Sequence, residues 1–565
     1  MQVKNWLLVI RFLLRGLMML NTPINKPNTQ SIIQVLSRFN ITCPNNIKLS
    51  NYHGDLTNDS RAISSDANAG DIFCAIIGHS QDGRQYIEQA IAHGAKLVLS
   101  ECENKSDHGS IRFIETAHEP VAIISFYALN NILFKVASAY YQAPENNMTM
   151  IGITGTNGKT SSSQLLGQLL TRCGKPCAII GTNGAGMVDD LKPLDNTTPS
   201  ATDLVQLFSR FDQLSVTNKK DVNSPEDQIT HIAMEVSSHA LAQGRVTGST
   251  FDIAVFTNLS RDHLDYHNTM ADYASAKELL FTRDDNQVAV LNGDDEQVQR
   301  WLKNWAKIET FPVQNMWLYG RDDLVKQQPQ FVSCCEIKHH NQGVDFTLNT
   351  HLGDIKVHSP LLGDFNIDNL LAVIAVLLIE GISLTTIAEA IKYIKPVAGR
   401  MEAFLPVNLG TAATSVVDYA HTPDALEKAL IACRQHCHGN LLVVFGCGGD
   451  RDKGKRRLMA KAAQKYADYL VVTSDNPRTE DPLAIIEDVL AGIDETSRVN
   501  VIVDRKQAVL DTLAKAQPND VVLLAGKGHE DYIILGHEKI DYNERQVVQE
   551  FYTNLPKQIV AGEQA

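Results

Sequence analysis

Several stretches of this chain place reactive side chains at spacings that suit chemistry. In "ITGTNGKTSS", Gly155, Thr156, Asn157, Gly158, Lys159, Thr160 and Ser161 sit between an apolar run and a helical one. Backbone N–H groups in such a loop can wrap phosphates. Lys159 would reach the β- and γ-phosphates of a nucleotide, and the Thr160 hydroxyl a Mg2+ ion. A strict phosphate loop has glycine where this chain has Ile153, so the spacing is a variant. Glu235 closes the apolar run of "MEVSSHAL", where a carboxylate can hold nucleotide-bound Mg2+. His263, in "FTNLSRDHLDYH", by itself reads more readily as a surface or packing residue, and Lys277, in "YASAKELLF", as a solvated lysine on an amphipathic helix.

A second group lies nearer the end. "VVTSDNPRTEDP" leaves a strand-like run and at once presents Asp475, Asn476, Pro477 and Arg478. By itself this reads as a strand-to-helix connector, with Asp481-Pro482 starting the next helix. "AGKGHEDYI" supplies Gly526, Lys527, His529 and Glu530, and "GCGGDRDKGKRRLM" joins a glycine-rich loop to a basic helix start. Arg400, in "VAGRMEAF", could clamp a phosphate or carboxylate, or form a boundary salt bridge. Cys433, His436, Cys437 and His438 have metal-ligand side chains, but they crowd one helix without a second spaced pair, which favours a helical face over a metal site.

The elements that must position these residues follow from periodicity. Apolar runs at Ile72–Ile77 and Leu97–Leu99, separated by a helical stretch, make a small α/β region that ends near the turn-rich "YYQAPENN". The pattern restarts with "TMIGIT", the glycine loop, a helix ended by Gly174, "CAIIG", and runs at His231–Val236, Asp252–Thr257 and Gln287–Leu291. From about Gly399 strand and helix alternate regularly, which predicts a parallel sheet covered by helices. Ligands of such sheets bind beyond the carboxyl ends of the strands, where Asp475–Arg478 and Gly526–Glu530 fall.

Bulk properties narrow the class. A length of 565 residues predicts three or four domains. A formal net charge of −14 argues against a nucleic-acid surface. Ten cysteines in so long a chain are no disulfide framework and suit a reducing cytoplasm. The start, "MQVKNWLLVIRFLLRGLMML", is apolar and basic, yet Arg11 and Arg15 break the run and no small-residue cleavage site follows. It reads as an amphipathic extension, or as an upstream start with initiation near Met18 or Met19, and not as a membrane span.

Taken in order, "DSR", "GTNGKT", "DNTT", "MEVSSH", "TNLSRDHLDYH", "AKELLF", "GDFNIDN", "GRMEAF", "DYAHTPDAL", "GCGGDRDKGK", "DNPRTE" and "GKGHEDY" resemble the Mur ligases, ATP-dependent amide ligases that assemble the peptidoglycan peptide. The resemblance runs from about Leu56 to the end and implies an α/β chain of three domains. These are a UDP-binding α/β domain (31–145) after an extension (1–30), a central phosphate-loop ATPase domain with a parallel sheet (146–397), and a Rossmann-like amino-acid-binding domain (398–565). Within the family the motifs are most similar to members that add meso-diaminopimelate to UDP-N-acetylmuramoyl-L-alanyl-D-glutamate. In those members the Asp-Asn-Pro-Arg motif recognises the incoming amino acid. A bidentate arginine suits the distal carboxylate that separates diaminopimelate from lysine.

The resemblance also implies roles. Lys159, Glu235, His263, Lys277 and Arg400 would be catalytic, and Thr160, Glu235, His263 and Lys277 would hold Mg2+, with Lys277 carbamylated by CO2. Arg400, Asp475, Asn476, Pro477, Arg478, Gly526 and Glu530 would bind diaminopimelate. Asn196, Thr197, Thr198, Ser237, Gln243 and Arg245 match positions that bind the muramoyl-dipeptide. Ser60, with Asn58, His79, Ser80 and Gln81, matches the UDP-binding part, although Asn58 replaces the usual aliphatic residue. ATP would be co-substrate, and a cytoplasmic monomer with small-molecule partners is expected. A lysine-adding ligase would share every motif except the Asp475–Arg478 turn. A plain ATPase or nucleotide-binding regulator would share only the loop around Lys159.

Overall fold

The computed structural model describes residues 32–42, 54–64, 70–79, 81–117, 119–217, 228–260, 262–281, 287–308, 315–340, 343–406, 412–494 and 498–555. The extension 1–30 and Ser80 lie outside them. The chain divides into two compact units, 1–319 and 320–565.

The first unit carries two sheets. The smaller has the order Leu56–Thr57, Ile72–Ala75, Leu97–Cys102, Val121–Tyr127, Ile111–Ile114, parallel except for the last strand. Phe73, Val98 and Ile123 pack with Ile87 and Ala90 of helix Ile87–His93 to close one face of it. In the larger sheet of this unit the parallel strands run Asn315–Tyr319, Val288–Asn292, Ile253–Phe256, Thr149–Thr154, His231–Glu235, Cys177–Gly181. The strands of its middle are buried along almost their whole length, which is why they read as unbroken apolar runs and not as alternating ones. Glu235 is in register with Ile153, and Phe256 with Thr154. The loops after Thr154, Glu235 and Phe256 therefore leave the sheet side by side.

The second unit opens with an antiparallel meander, Phe331–His340, Gly343–Thr350 and Gly353–Ser359. The buried helix Asp364–Ile379 follows. A six-stranded sheet of this unit has the order Glu402–Phe404, Thr414–Asp418, Val521–Ala525, Leu441–Phe445, Tyr469–Val472, Val499–Val501, parallel except for the first strand, and Tyr532–Leu535 pairs with Glu538–Asp541 in a separate antiparallel hairpin. Four strands of the six-stranded sheet are neighbours, so the loops beginning at Tyr419, Gly526, Gly446 and Thr473 gather at one sheet edge. The helices between them begin as the sequence implies, with Thr422 accepting from the Ala425 N–H and Asp481 from the Leu483 N–H.

Helix Pro423–Gln435 ends at His436, whose ring is buried. Its Nδ1 lies 2.8 Å from the His340 carbonyl and its Nε2 accepts the Gly363 N–H at 3.0 Å. Both nitrogens are thus used in packing, and burial lowers the ring pKa to about 4. Among the described residues no helix is long and apolar enough to cross a membrane.

Candidate active site

The phosphate loop is shaped by two glycines. Gly155 has φ +148, and a Cβ there would meet Thr257 Oγ1 at 1.9 Å. Gly158, at φ +86, precedes helix Lys159–Arg172 and turns the chain into it. Lys159 folds back over its own loop, and its Nζ donates to the Gly155 and Thr156 carbonyls at 2.8 Å each. Asn157 N–H is held by Asn258 Oδ1 at 3.0 Å, so the neighbouring strand's loop fixes this one. Ser161 lies in the first turn of the helix.

Glu235 stands beside the helix start, 1% exposed. Its carboxylate accepts the Thr160 hydroxyl at 3.0 Å, the Thr182 N–H at 2.8 Å and the Thr182 hydroxyl at 3.2 Å. Burial pushes its pKa up, and the Lys159 charge pulls the other way. A buried carboxylate against a hydroxyl offers hard oxygen donors of the kind Mg2+ takes, and a divalent cation would relieve the burial penalty. The donor set therefore fits the ion.

Space for this carboxylate depends on Gly181, which the sequence reading did not single out. A Cβ at that position would lie 2.1 Å from Glu235 Oε1. Gly181→Ala is therefore expected to push the carboxylate off Thr160 and Thr182. Loss of a charge-assisted hydrogen bond, about 1.5–3 kcal/mol, would slow nucleotide turnover roughly tenfold or more. Steady-state turnover beside a melting curve tests this, and an unchanged rate in a folded variant would count against the geometry.

Lys277 departs from the expectation of a solvated side chain. Helix Met270–Glu278 buries Tyr273, Ala274, Ala276 and Lys277, leaving the lysine 1% exposed. Its Nζ donates to the Gly155 carbonyl at 2.7 Å and lies 4.4 Å from the centre of the Tyr273 ring. Burial first, then the Lys159 charge, push its pKa well below the ordinary lysine value. His263, at φ +51, reaches the same ring, with centroids 6.0 Å apart, and packs edge-on against His239 at 4.9 Å.

Other expected positions join this shell through hydrogen bonds. Thr198 Oγ1 donates to the Glu235 carbonyl at 2.9 Å and accepts the Ser237 N–H at 3.0 Å. Arg245 donates to the Thr198 carbonyl at 2.7 Å and to Gln243 Oε1 at 2.7 and 3.0 Å. Gln243 in turn donates to the Tyr266 hydroxyl, whose ring faces His79 at 5.3 Å. Thr197 reaches the Thr182 hydroxyl at 3.1 Å, whereas Asn196 is exposed. Asn58 and Ser60 are held separately, by Thr202 at 3.0 Å and Gln89 at 3.3 Å. The Gln81 carbonyl accepts the Gly78 N–H.

In the second unit the converging loops enclose a cavity of about 330 Å³. Arg451, Lys455 and Arg478 bring positive charge to its wall and Asp475 and Glu530 negative charge, beside Tyr419, His421, Gly448, Asn476 and Gly526. Arg478 has φ +52, an uncommon conformation for a residue with a side chain. The backbone over-determines it: Arg478 N–H donates to the Ile534 carbonyl at 3.1 Å, and Gly536 N–H to the Arg478 carbonyl at 2.8 Å. Its Nη1 donates to the Gly449 carbonyl at 2.9 Å, which leaves Nε and Nη2 without a partner among the described residues. Gly448 makes room, since a Cβ there would be 2.9 Å from Nη1. Pro477 supplies the fixed turn before it.

Lys527 underpins this wall, a role the sequence reading did not assign. Fully buried, its Nζ lies 2.9 Å from Asp475 Oδ1 and donates to Asn476 Oδ1 at 2.7 Å and Glu530 Oε2 at 3.2 Å. Asn476 also donates to Glu530 Oε2 at 3.0 Å. Burial pushes the Asp475 carboxyl up, but the Lys527 and Arg505 charges outweigh it and hold it below its ordinary value. Gly526, at φ +115, leaves room for Asp475, because a Cβ would come within 3.0 Å of its carboxylate. Arg400 stacks over Tyr419 at 4.9 Å, its turn pinned by Asp418 accepting the Met401 N–H. The clue in sequence was position alone: Tyr419 and His421 follow the strand ending at Asp418, and Arg451 and Lys455 lie in the loop and helix start that follow the strand ending at Phe445.

A loop shaped to wrap phosphates in one unit and a mixed-charge cavity in the other suit an ATP-dependent amide ligase. Comparison with known proteins gives the particular kind. Residues 54–141 match the model of the Mur ligase family catalytic domain, 153–377 the Mur ligase middle domain, and 399–528 the Mur ligase glutamate ligase domain. The chain is 42% identical over 493 residues, 87% of its length and 95% of the relative's, to a UDP-N-acetylmuramoyl-L-alanyl-D-glutamate–2,6-diaminopimelate ligase of Haemophilus influenzae strain KW20 / Rd. A solved structure of a ligase with the same description shares 30% identity and a TM-score of 0.66, covering 93% of this chain and 99% of that one. A crystal structure of MurF from Acinetobacter baumannii matches in fold, with a TM-score of 0.58 at 15% identity over 94% of this chain and 100% of that one. The chain belongs to the Mur ligase family, and it is an ATP-dependent acid–amino-acid ligase.

Proposed function

We propose that this ligase joins meso-diaminopimelate to UDP-N-acetylmuramoyl-L-alanyl-D-glutamate in peptidoglycan synthesis. The observation that carries this reading is the mixed-charge cavity at Asp475–Arg478 and Glu530, which offers partners for both ammonium and carboxylate groups. A diamino dicarboxylate presents two of each. Arg478, with Nε and Nη2 available, pairs with the distal carboxylate, and Glu530 and Asp475 face the ammonium groups.

The reaction runs in two steps. The glutamate γ-carboxylate attacks the γ-phosphate of ATP, releasing ADP and forming an acyl phosphate. The amine of diaminopimelate then attacks the acyl carbon; phosphate leaves, and the nitrogen loses a proton as the amide forms. Lys159 and the loop from Gly155 to Ser161 hold the phosphates and spread the developing charge. Thr160, Glu235, His263 and a carbamylated Lys277 would hold Mg2+, which when bound neutralises phosphate charge. Asn196, Thr197, Thr198, Ser237, Gln243 and Arg245 bind the muramoyl-dipeptide, Asn58, Ser60, His79 and Gln81 the UDP end, and Arg400 the amino acid. The proposed domains are 31–145, 146–397 and 398–565, in a cytoplasmic monomer.

An amino-acid panel tests the assignment. ADP release should require both the UDP-muramoyl-dipeptide and diaminopimelate. Equal or faster release with lysine makes the chain a lysine-adding ligase, and release without either substrate makes it a plain ATPase.

A further inference from the structure

The meander that opens the second unit gathers three side chains with no part in the ligase chemistry. Asp345 on its middle strand is paired directly with His358 on one neighbour and with Lys338 on the other. His340 lies two residues beyond Lys338 and so shares its face, at the diagonal position that long side chains reach across a sheet. His358 Nδ1 is 2.8 Å from Asp345 Oδ1, and His340 Nε2 is 3.6 Å from the same oxygen. The two imidazole rings stack with centroids 5.4 Å apart and planes 6° from parallel. One ligand atom from each residue lies within 4.8 Å of the other two.

We propose that His340, Asp345 and His358 form a second metal site that takes a transition cation of the Zn2+ class. Bonds of about 2.0–2.2 Å from nitrogen and oxygen put tetrahedral ligand atoms a little over 3 Å apart, so small side-chain rotations close the set. Two imidazoles with one carboxylate suit Zn2+, Ni2+ or Cu2+, whereas Mg2+ prefers oxygen ligands, which separates this site from the phosphate loop. The side chains are 33, 55 and 42% exposed in chain order, so an ion from solvent can reach them and water can complete its shell. The framework is braced: His436 holds the His340 carbonyl, and neighbouring His339 is tied at 2.7 Å to Asp364. An ion bound across three strands would clamp the meander.

The full-length protein, stripped with chelator, is titrated with Zn2+ by calorimetry and with Co2+ by absorbance, alongside His358→Gln and Asp345→Asn. The parent is expected to take up one equivalent more than either variant. Co2+ should give visible d–d bands without thiolate charge transfer, and Zn2+ should raise the Tm of the parent more than that of the variants. Circular dichroism confirms that these exposed substitutions leave the fold intact. Equal Zn2+ stoichiometry in the parent and both variants, or d–d bands of the same intensity in all three, overturns the site and leaves a plain histidine–aspartate ion pair.

Discussion

Lys277→Ala is expected to abolish most ligase activity, by roughly a hundredfold or more, the scale seen when one well-placed electrostatic stabiliser is removed. The reason lies in the surroundings of the amine. Burial and the Lys159 charge both disfavour the ammonium form, so the side chain tends toward the free amine, the form that adds CO2. Addition forms an N–C bond and releases a proton, leaving a carbamate anion. The Lys159 charge that destabilises the ammonium then stabilises that carbamate. Short-chain carboxylates should partly restore the alanine variant, because they return an anion to the space the lysine vacates. In the parent, a carbamate carbon signal from 13C-labelled bicarbonate should be present, and it should vanish in the variant. A fully active alanine variant under CO2-free conditions would falsify the assignment.

Much of this site was readable in the sequence, and the gaps have physical causes. The phosphate loop, the buried strands of the central sheet and the strand–helix alternation of the second unit are local patterns that the structure keeps: Thr149–Thr154 has the bounds read for it, whereas His231–Glu235 stops one residue short of the run to Val236. Lys277 shows the limit of such reading. The helix expected to be amphipathic has no strong apolar stripe, so periodicity cannot say that the lysine faces Gly155, 122 residues earlier. Lys527 was invisible for the same reason, since its partners Asp475 and Asn476 come from a loop that only the order of the sheet brings near. Gly181 is clearer still: nothing in "CAIIG" indicates that its missing side chain leaves room for a carboxylate two strands' worth of sequence away. The meander from Phe331 to Ser359 was likewise not anticipated, although its alternating strands and the Asn-Gln-Gly and Gly-Asp stretches between them are hairpin signals.

Arg478→Ala is expected to lower kcat/KM for diaminopimelate roughly ten- to two-hundredfold, the range that follows from losing one charge-assisted hydrogen bond of about 1.5–3 kcal/mol. KM for ATP and for the UDP-linked dipeptide should barely move, since the residues proposed for them lie in the first unit, whereas Arg478 lies in the second. Lysine, which lacks the distal carboxylate, should be used no worse by the variant than by the parent, so discrimination between the two amino acids should collapse. The guanidinium also donates to the Gly449 carbonyl, so its loss could loosen the loop. Arg478→Lys separates the two effects: it keeps the charge but cannot serve a carboxylate through two parallel N–H groups while still holding Gly449. Recognition of the carboxylate predicts a loss in the lysine variant that is confined to diaminopimelate. A merely structural turn predicts lower stability and a uniform loss for every substrate. An unchanged diaminopimelate-to-lysine preference in Arg478→Ala would therefore remove this residue from the specificity pocket.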